Sequence, residues 1–280
     1  MRLISKVVVR TAEAFGVVIN IIHKAHLFIH KANLFINSFV VVILTPEEIA
    51  SYTKQVYQKK TSYFALCTDQ DWIDKGLNPS EKDVIEKHAG KSGSFIVLCC
   101  GAGREAIPLA KMGFDVIGID SSAAMIHKAK EFATREGMKV DLLIGDILEM
   151  PFLEGGFDYC LLSCFMYSVI PSRTMRVTLL SNILDLLNDG GIAIIHFVID
   201  RNRRERLFKL RKSIASIFKG NVSYQTGDDF YPPGHFFRRF LDEQEVIDEV
   251  REAGLFVKEI LRDQDSHDGI YAVLEKISHQ

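Results

Sequence analysis

Two glycines and an acidic residue lie at the ends of two consecutive strand-like segments. The first segment, residues 95–99, runs into a turn that contains Gly101 and Gly103, and a helical segment follows. Glycines in such a turn let a ligand approach the backbone closely, and the amides at the start of the helix can donate to a negative group. The second segment ends in Asp120, whose carboxylate can accept from both hydroxyls of a ribose. This arrangement predicts a nucleoside-binding site.

The glycine turn alone leaves two classes of enzyme open. Residues 101–106 read Gly-Ala-Gly-Arg-Glu-Ala, which also satisfies the dinucleotide pattern G-x-G-x-x-G/A, and Asp120 lies near the expected distance from it. An oxidoreductase that uses NAD or FAD therefore remains an alternative at this point.

Three later motifs help to distinguish between these two classes of enzyme. Gly145-Asp146 follows a third apolar segment, Phe157-Asp158 opens a fourth, and Asn188-Asp189-Gly190-Gly191 precedes a fifth. In this order and spacing the series resembles the class I methyltransferase family that depends on S-adenosyl-L-methionine (SAM), over about residues 80–280. The resemblance implies SAM as cofactor, S-adenosylhomocysteine (SAH) as product, and a small-molecule acceptor methylated on oxygen or nitrogen.

The resemblance also assigns roles to individual residues. Gly101 and Gly103 would contact the methionine part of SAM, Asp120 the ribose, and Asp146 the amino group of adenine. Ser163 would lie at the mouth where the methyl group is transferred. The candidate cofactor-binding residues are therefore Cys99, Gly101, Gly103, Asp120, Ser121, Asp146, Ile147 and Ser163.

The glycine turn departs from the family pattern at two positions. Val97 stands where the family often has an acid, and Cys99 stands in place of the first glycine. A cysteine at this position needs a backbone φ that residues with a side chain rarely adopt. A SAM-binding interaction protein without catalytic activity is therefore kept as a second alternative.

The acceptor side is less clearly marked. Methyl transfer needs a general base only when the acceptor must lose a proton, and the candidates for that role are Tyr167, His196, Tyr231 and His235. The last two lie in an insertion, residues 200–240, whose aromatic and cationic side chains suggest a lid over the acceptor pocket, suited to a small acceptor with a negative charge.

The order of elements predicts the fold class. Short apolar runs alternate with amphipathic helical segments, which is typical of a doubly wound, mostly parallel α/β sheet. We expect a Rossmann-like domain over residues 78–280 with seven strands, at about residues 95–99, 115–119, 140–144, 157–163, 191–197, 255–261 and 271–275.

Residues 1–77 are predicted to form a helical appendage. Residues 17–44 carry a seven-residue repeat with a broad apolar surface, and residues 46–64 form a second helix that Thr45, Pro46 and Glu48 begin. We expect the first helix to pack on protein, within the monomer or in a homodimer, or to lie on a membrane surface without crossing it. The histidines of this helix have helical spacing, but asparagines continue the same polar stripe and no carboxylate joins it. We therefore expect no metal site there.

Composition sets the remaining expectations. The chain has 280 residues, a net charge of −2 and five cysteines. Neither charge nor sequence pattern suggests nucleic acid as a partner. An odd number of cysteines, mostly in apolar runs, indicates reduced thiols and a cytoplasmic protein.

Overall fold

A computed structural model describes residues 23–29, 32, 35–36, 39–58, 62–149, 155–203, 207–231 and 235–277. Parts of three segments predicted from the sequence therefore lie outside the described residues. These parts are residues 17–22, 30, 31, 33, 34, 37 and 38 of the first helix, residues 59–61 of the second, and residues 204–206 and 232–234 of the insertion.

A twisted sheet forms the centre of the molecule. Five parallel strands come first along the chain: β1 (Ser94–Leu98), β2 (Asp115–Asp120), β3 (Asp141–Ile144), β4 (Phe157–Leu162) and β5 (Leu187–Ile199). They lie in the order β3-β2-β1-β4-β5. The order reverses direction at β1 and β4, so the carboxyl ends of these two strands frame a crevice, where doubly wound sheets bind ligands.

Four further strands complete the sheet. A hairpin, β6 (Asp228–Tyr231) and β7 (His235–Phe240), joins the end of β5 through Val198 and Ile199. Strands β8 (Phe256–Arg262) and β9 (Gly269–Glu275) are antiparallel to one another, and β9 lies antiparallel between β5 and β8. The seven expected strands are all present, and the fold class is confirmed. Strands β6 and β7 are additional to the seven predicted, because their charged and aromatic side chains do not show the apolar pattern of a buried strand.

Helices cover both faces of the sheet, which explains why the strands at its centre, β1, β4 and β5, are mostly buried and apolar. One face packs against α4 (Pro79–His88), α5 (Ala106–Lys111) and α6 (Ala123–Arg135). The other packs against α7 (Arg173–Leu186) and α9 (Glu243–Glu252), and a 3₁₀ turn, Met166–Val169, also lies on this side. A further helix, α8 (Phe208–Phe218), lies in the insertion.

Helix α1 (Pro46–Gln58) begins as the sequence indicates. The backbone amide of Thr45 donates to Glu48 Oε2 at 2.8 Å, and the amide of Glu48 donates to Thr45 Oγ1 at 3.2 Å, which is a capping box. Two short helices, α2 (Ser62–Cys67) and α3 (Gln70–Asp74), follow. Thr53 Oγ1 in α1 accepts from the amide of Phe236 in β7 at 3.0 Å. Helix α1 is thus fixed to the hairpin of the insertion.

The described residues between 23 and 43 are helical. Val41 and Val42 are buried against a small third core with Ala215 and Phe236, whereas Phe28 and several neighbours are exposed. In the part of the chain that the structure describes, no helix has the length and apolar character needed to cross a membrane.

Candidate functional site

A cavity of about 650 Å³ lies at the carboxyl ends of β1 to β4, under α1. This volume is in the range usual for small-molecule sites, roughly 300–1,000 Å³. Seven of the eight candidate cofactor-binding residues line it: Cys99, Gly101, Asp120, Ser121, Asp146, Ile147 and Ser163. The eighth, Gly103, is not among the lining residues. Residues from four separate strand ends thus meet around one space.

The glycine turn has the backbone conformation that its sequence requires. Cys99 has φ 55°, the left-handed value expected for a side chain in place of glycine. Gly101 has φ 52°, and a Cβ added there would meet no atom within 4 Å, so its backbone borders open space. A Cβ on Gly103 would instead lie 2.5 Å from Ile107 Cδ1 and 3.3 Å from Ala129 Cβ. Gly103 therefore allows the turn to pack against α6 and does not border the cavity.

Asp120 holds the glycine turn from the neighbouring strand. Its Oδ2 accepts from the amide of Gly101 at 2.9 Å, and its Oδ1 accepts from the amide of Ser122 at 2.8 Å. Burial raises the pKa of this carboxyl above its ordinary value, although the two backbone hydrogen bonds act in the opposite direction. Each oxygen retains a free lone pair that can accept from a ligand in the cavity.

Asp146 connects the loop after β3 to helix α1. Its Oδ2 lies 2.8 Å from Lys54 Nζ, and its Oδ1 accepts from the amide of Leu148 at 3.0 Å. Four residues along α1, Gln58 Nε2 donates to the backbone carbonyl of Ser121 at 3.1 Å. These two contacts hold α1 over the side of the cavity that the ends of β2 and β3 form.

Arg104 is the centre of a buried charged cluster at the other side of the cavity. Its guanidinium pairs with Glu81 at 2.7 Å, contacts Glu105, and lies 2.9 Å from Cys164 Sγ. Ser163 donates to Glu81 through its hydroxyl. Burial raises the pKa of Glu105, the neighbouring Arg104 lowers it, and the charge of Glu81 raises it again. The cluster therefore has two carboxylates for one guanidinium.

Comparisons with known proteins agree with this geometry. The sequence profile of a methyltransferase domain matches residues 96–191, from β1 to the start of β5. The ubiquinone biosynthesis O-methyltransferase of Rickettsia canadensis is 28% identical over 161 residues, which cover 58% of this chain and 61% of that protein. A 23S rRNA (uracil(1939)-C(5))-methyltransferase of Aeromonas hydrophila is 39% identical over 80 residues, 26% of this chain and 18% of that protein.

A solved structure shares the fold over most of the chain. The 1,6-didemethyltoxoflavin-N1-methyltransferase of Burkholderia thailandensis, solved with 1,6-didemethyltoxoflavin and S-adenosylhomocysteine, superposes with a TM-score of 0.59 at 16% identity. The match covers 84% of this chain and 91% of that one. The chain contains a class I SAM-dependent methyltransferase domain.

The resemblance predicted from the motif series is thus confirmed. The glycine pattern left two classes of enzyme open, and the comparisons support the SAM-dependent methyltransferase over the oxidoreductase that uses NAD or FAD. The chain spans about three fifths of the Rickettsia relative and about a fifth of the Aeromonas relative.

The methyltransferase domain does not bring the four candidate bases into the cavity. Tyr167 is buried and donates to Glu249 Oε2 at 2.6 Å. His196 is buried between the rings of Phe165 and Tyr271, each with its centroid 4.0 Å away. Burial lowers the pKa of His196 and raises that of Tyr167. Both positions favour a structural role.

The two candidates in the insertion lie behind α1. Tyr231 ends β6, and His235 begins β7, where its ring lies 6.3 Å from the ring of Tyr57 in α1. Neither is among the described residues that line the cavity. Burial lowers the pKa of His235 to about 4.

The described part of the insertion predicted to be a lid, residues 200–240, lies beside α1. No described residue of that insertion lines the cavity, whereas α1 contributes Glu47, Ala50, Ser51, Thr53, Lys54 and Tyr57. The hairpin of the insertion contacts α1, and none of the described cations of the insertion lines the cavity. The lining contains five carboxylates, of Glu47, Glu105, Asp120, Asp146 and Glu149, against two cations, Lys54 and Arg104. The expectation of a negatively charged acceptor therefore loses its basis.

Sequence reasoning missed three residues of this site. Arg104 and Glu105 directly follow the glycine turn, and their position in that motif was the signal that could have found them. Lys54 carries no such signal, because only the folded chain brings it to Asp146, which is 92 residues away.

Proposed function

We propose that the protein binds SAM in this cavity and transfers its methyl group to an oxygen or nitrogen atom of a small-molecule acceptor, producing SAH. The observation that carries the proposal is the convergence of the strand ends. Motifs that are far apart in the sequence, at Gly101, Asp120, Asp146 and Ser163, line a single space of suitable volume.

The residues at the cavity fit the proposed cofactor. Gly101 leaves open the position that a Cβ would fill, so the methionine part can lie against the backbone there. Asp120 and Asp146 offer carboxylate acceptors to the ribose hydroxyls and the adenine amino group. SAM supplies an electrophilic methyl on a sulfonium, and the excess of carboxylates in the lining suits a cofactor with that positive charge.

The rest of the lining is available to the acceptor. It combines α1 with the segment after β4, where Val169, Ile170, Pro171 and Met175 present mainly apolar side chains. Helix α1 separates this space from the hairpin of the insertion and shields it from water. A displacement reaction mainly requires that the acceptor be aligned with the methyl group, and an enclosed space of this kind can provide that alignment. A small acceptor with an apolar body fits this arrangement.

Nucleic acid fits it less well. A phosphate backbone requires cationic partners, and the lining has five carboxylates against two cations. The one nucleic-acid enzyme among the relatives described above matches over only 26% of this chain. We also place the protein in the cytoplasm, because its five cysteines are free thiols.

Calorimetry with SAM, SAH and NADH tests the cofactor. We expect SAM and SAH to bind and NADH not to bind; tight NADH binding without SAH binding would refute the proposal. Asp120→Ala should weaken SAH by about ten- to a hundredfold, since a charge-assisted hydrogen bond contributes about 1.5–3 kcal/mol. Asp115→Ala is the matched control, because Asp115 is exposed at the other end of the same strand.

Release of SAH from SAM in the presence of candidate acceptors tests the reaction. Turnover on a small hydroxylated or amino compound supports the proposal. Tight SAH binding, with no turnover on a broad panel of small acceptors or on RNA, would favour the non-catalytic SAM-binding protein.

A further inference from the structure

Exposed apolar side chains are concentrated in two segments of the chain. Of the sixteen large apolar side chains exposed among the described residues, ten lie in residues 23–43 and 208–222. The exposed fractions of Phe28, Ile217 and Phe218 are 73%, 74% and 63%. The ten are Leu27, Phe28, Ile29, Phe35, Ile36, Ile43, Leu210, Ile217, Phe218 and Val222. We call these ten side chains, together with those of Lys24, Lys209, Arg211, Lys212 and Lys219, the apolar–basic surface.

The two segments of this surface are in contact. The amide of Asn221 donates to the carbonyl of Val42 at 3.1 Å, and its side-chain Nδ2 donates to the carbonyl of Val41 at 3.2 Å. The guanidinium of Arg211 lies 5.6 Å from the centroid of the Phe39 ring. Leu210, Ile217 and Phe218 share one side of α8 at helical spacing. The helical segment 39–43 and α8 therefore present their exposed side chains from one packed unit.

The charge of the apolar–basic surface has a single sign. Residues 14–46 and 207–227 contain no aspartate or glutamate. Lys24, Lys209 and Lys219 are exposed there, and Arg211 and Lys212 are half-buried. This differs from the protein as a whole, whose net charge is −2.

We infer that the apolar–basic surface binds the face of a membrane that carries anionic lipids. Amphipathic helices with lysines beside large apolar residues lie in the plane of such a membrane, with the apolar side chains in the interface and the lysines at the headgroups. The aliphatic part of each lysine can cover apolar neighbours while its ammonium reaches a lipid phosphate. The surface needs no span to bind in this way.

A second copy of the chain is a poorer occupant. In a symmetric dimer the same surface would meet itself, which would bring lysines against lysines without a carboxylate from residues 14–46 or 207–227 to pair with them. An anionic lipid surface supplies the negative charge that this surface lacks. The inference does not depend on the proposed methyl transfer.

Sedimentation of the full-length protein with vesicles tests it. We expect binding to vesicles of phosphatidylcholine mixed with phosphatidylglycerol, little binding to phosphatidylcholine alone, and release by high salt. Lys209→Glu with Lys219→Glu should reduce partitioning by on the order of tenfold. Ile217→Ser with Phe218→Ser should reduce it by at least a similar factor, because it removes apolar area that the membrane interface would bury.

Matched variants control for charge and for apolar area elsewhere. Lys91→Glu with Lys139→Glu makes the same change of charge at exposed sites away from the surface, and Phe256→Ser removes a side chain that is 53% exposed on β8. These variants should bind as the unchanged protein does, and unfolding midpoints verify that all variants fold. Equal binding by test and control variants, or no binding of the unchanged protein to anionic vesicles, would overturn the inference. So would a dimer, seen by light scattering, that the surface substitutions dissociate while vesicles bind nothing.

Discussion

The ammonium of Lys54 in α1 lies 2.8 Å from Oδ2 of Asp146, at the loop that follows β3. The pair connects the helix that covers the cavity to the carboxylate that we propose as the adenine acceptor. The two side chains are 41% and 24% exposed, so the bond is within reach of water and can open. Cofactor exchange and the position of α1 should therefore be coupled.

Replacement of Lys54 by methionine tests this coupling. It removes a partly exposed ion pair that contributes up to about 1 kcal/mol, so the dissociation rate of SAH should rise by about two- to fivefold. Lys54→Arg retains the charge and should release SAH at nearly the original rate. Stopped-flow displacement of SAH measures both rates. Slower dissociation from Lys54→Met would mean that Lys54 competes with the cofactor for Asp146.

Gly101 and Gly103 should respond differently to the same substitution. A Cβ at Gly101 would enter open space in the cavity, so Gly101→Ala should weaken SAH binding, with a loss of stability of only about 1 kcal/mol for the left-handed backbone. At Gly103 the Cβ would overlap Ile107, so Gly103→Ala should lower stability by clearly more. Urea unfolding and SAH titration of both variants provide the comparison. Equal losses of stability would contradict the placement of the two glycines.

Glu249 should be far more important for stability than Glu252 on the same helix. Glu249 Oε1 lies 2.6 Å from Nη2 of Arg176, and both side chains are buried. Glu249→Ala would leave that guanidinium unpaired, which should cost about 3–5 kcal/mol. Glu252→Ala breaks an exposed pair with Arg173 and should cost less than about 1 kcal/mol. A small effect of Glu249→Ala in denaturant unfolding would show that the buried pair of Arg176 and Glu249 is hydrated.

Stability should fall as the pH falls from about 6.5, in part because of His235. Burial lowers its pKa from 6.5 to about 4, so in this range the unfolded chain binds a proton that the folded chain does not. This group alone should cost about 1 kcal/mol between pH 6.5 and 5.5. His235→Gln should remove that part of the pH dependence. His127→Gln, whose side chain is 75% exposed, should leave it unchanged.

The sequence predicts the parts of the site that depend on neighbouring residues. The strand before Gly101, the left-handed conformation of Cys99 and the acid at the end of β2 all follow from short motifs whose geometry is local. The parallel sheet follows because apolar runs alternate with amphipathic helices. For these reasons seven of the eight candidate cofactor residues line the cavity.

The parts that the sequence did not predict depend on long-range packing. The sequence predicts that α1 is a helix, but nothing in residues 46–58 indicates that it covers the cavity or that Lys54 pairs with Asp146. The aromatic and cationic side chains of the insertion suggest a lid from sequence alone, but such side chains are equally common in buried ion pairs. In the structure Arg238 is buried and pairs with Asp228 at 2.7 Å, within the hairpin. Composition cannot distinguish these two uses of arginine.

The position of β9 determines when the sheet can be completed. Residues 269–275 pair with β5 on one side and β8 on the other. Until the ribosome has made them, β5 has an open edge along residues 192–198, and β8 has no neighbour to hold it on the sheet. An unpaired edge invites pairing with other chains. During synthesis the protein therefore carries an aggregation-prone edge until β9 is inserted, and a stop codon before residue 269 should yield insoluble protein even though every described residue that lines the cavity has been made.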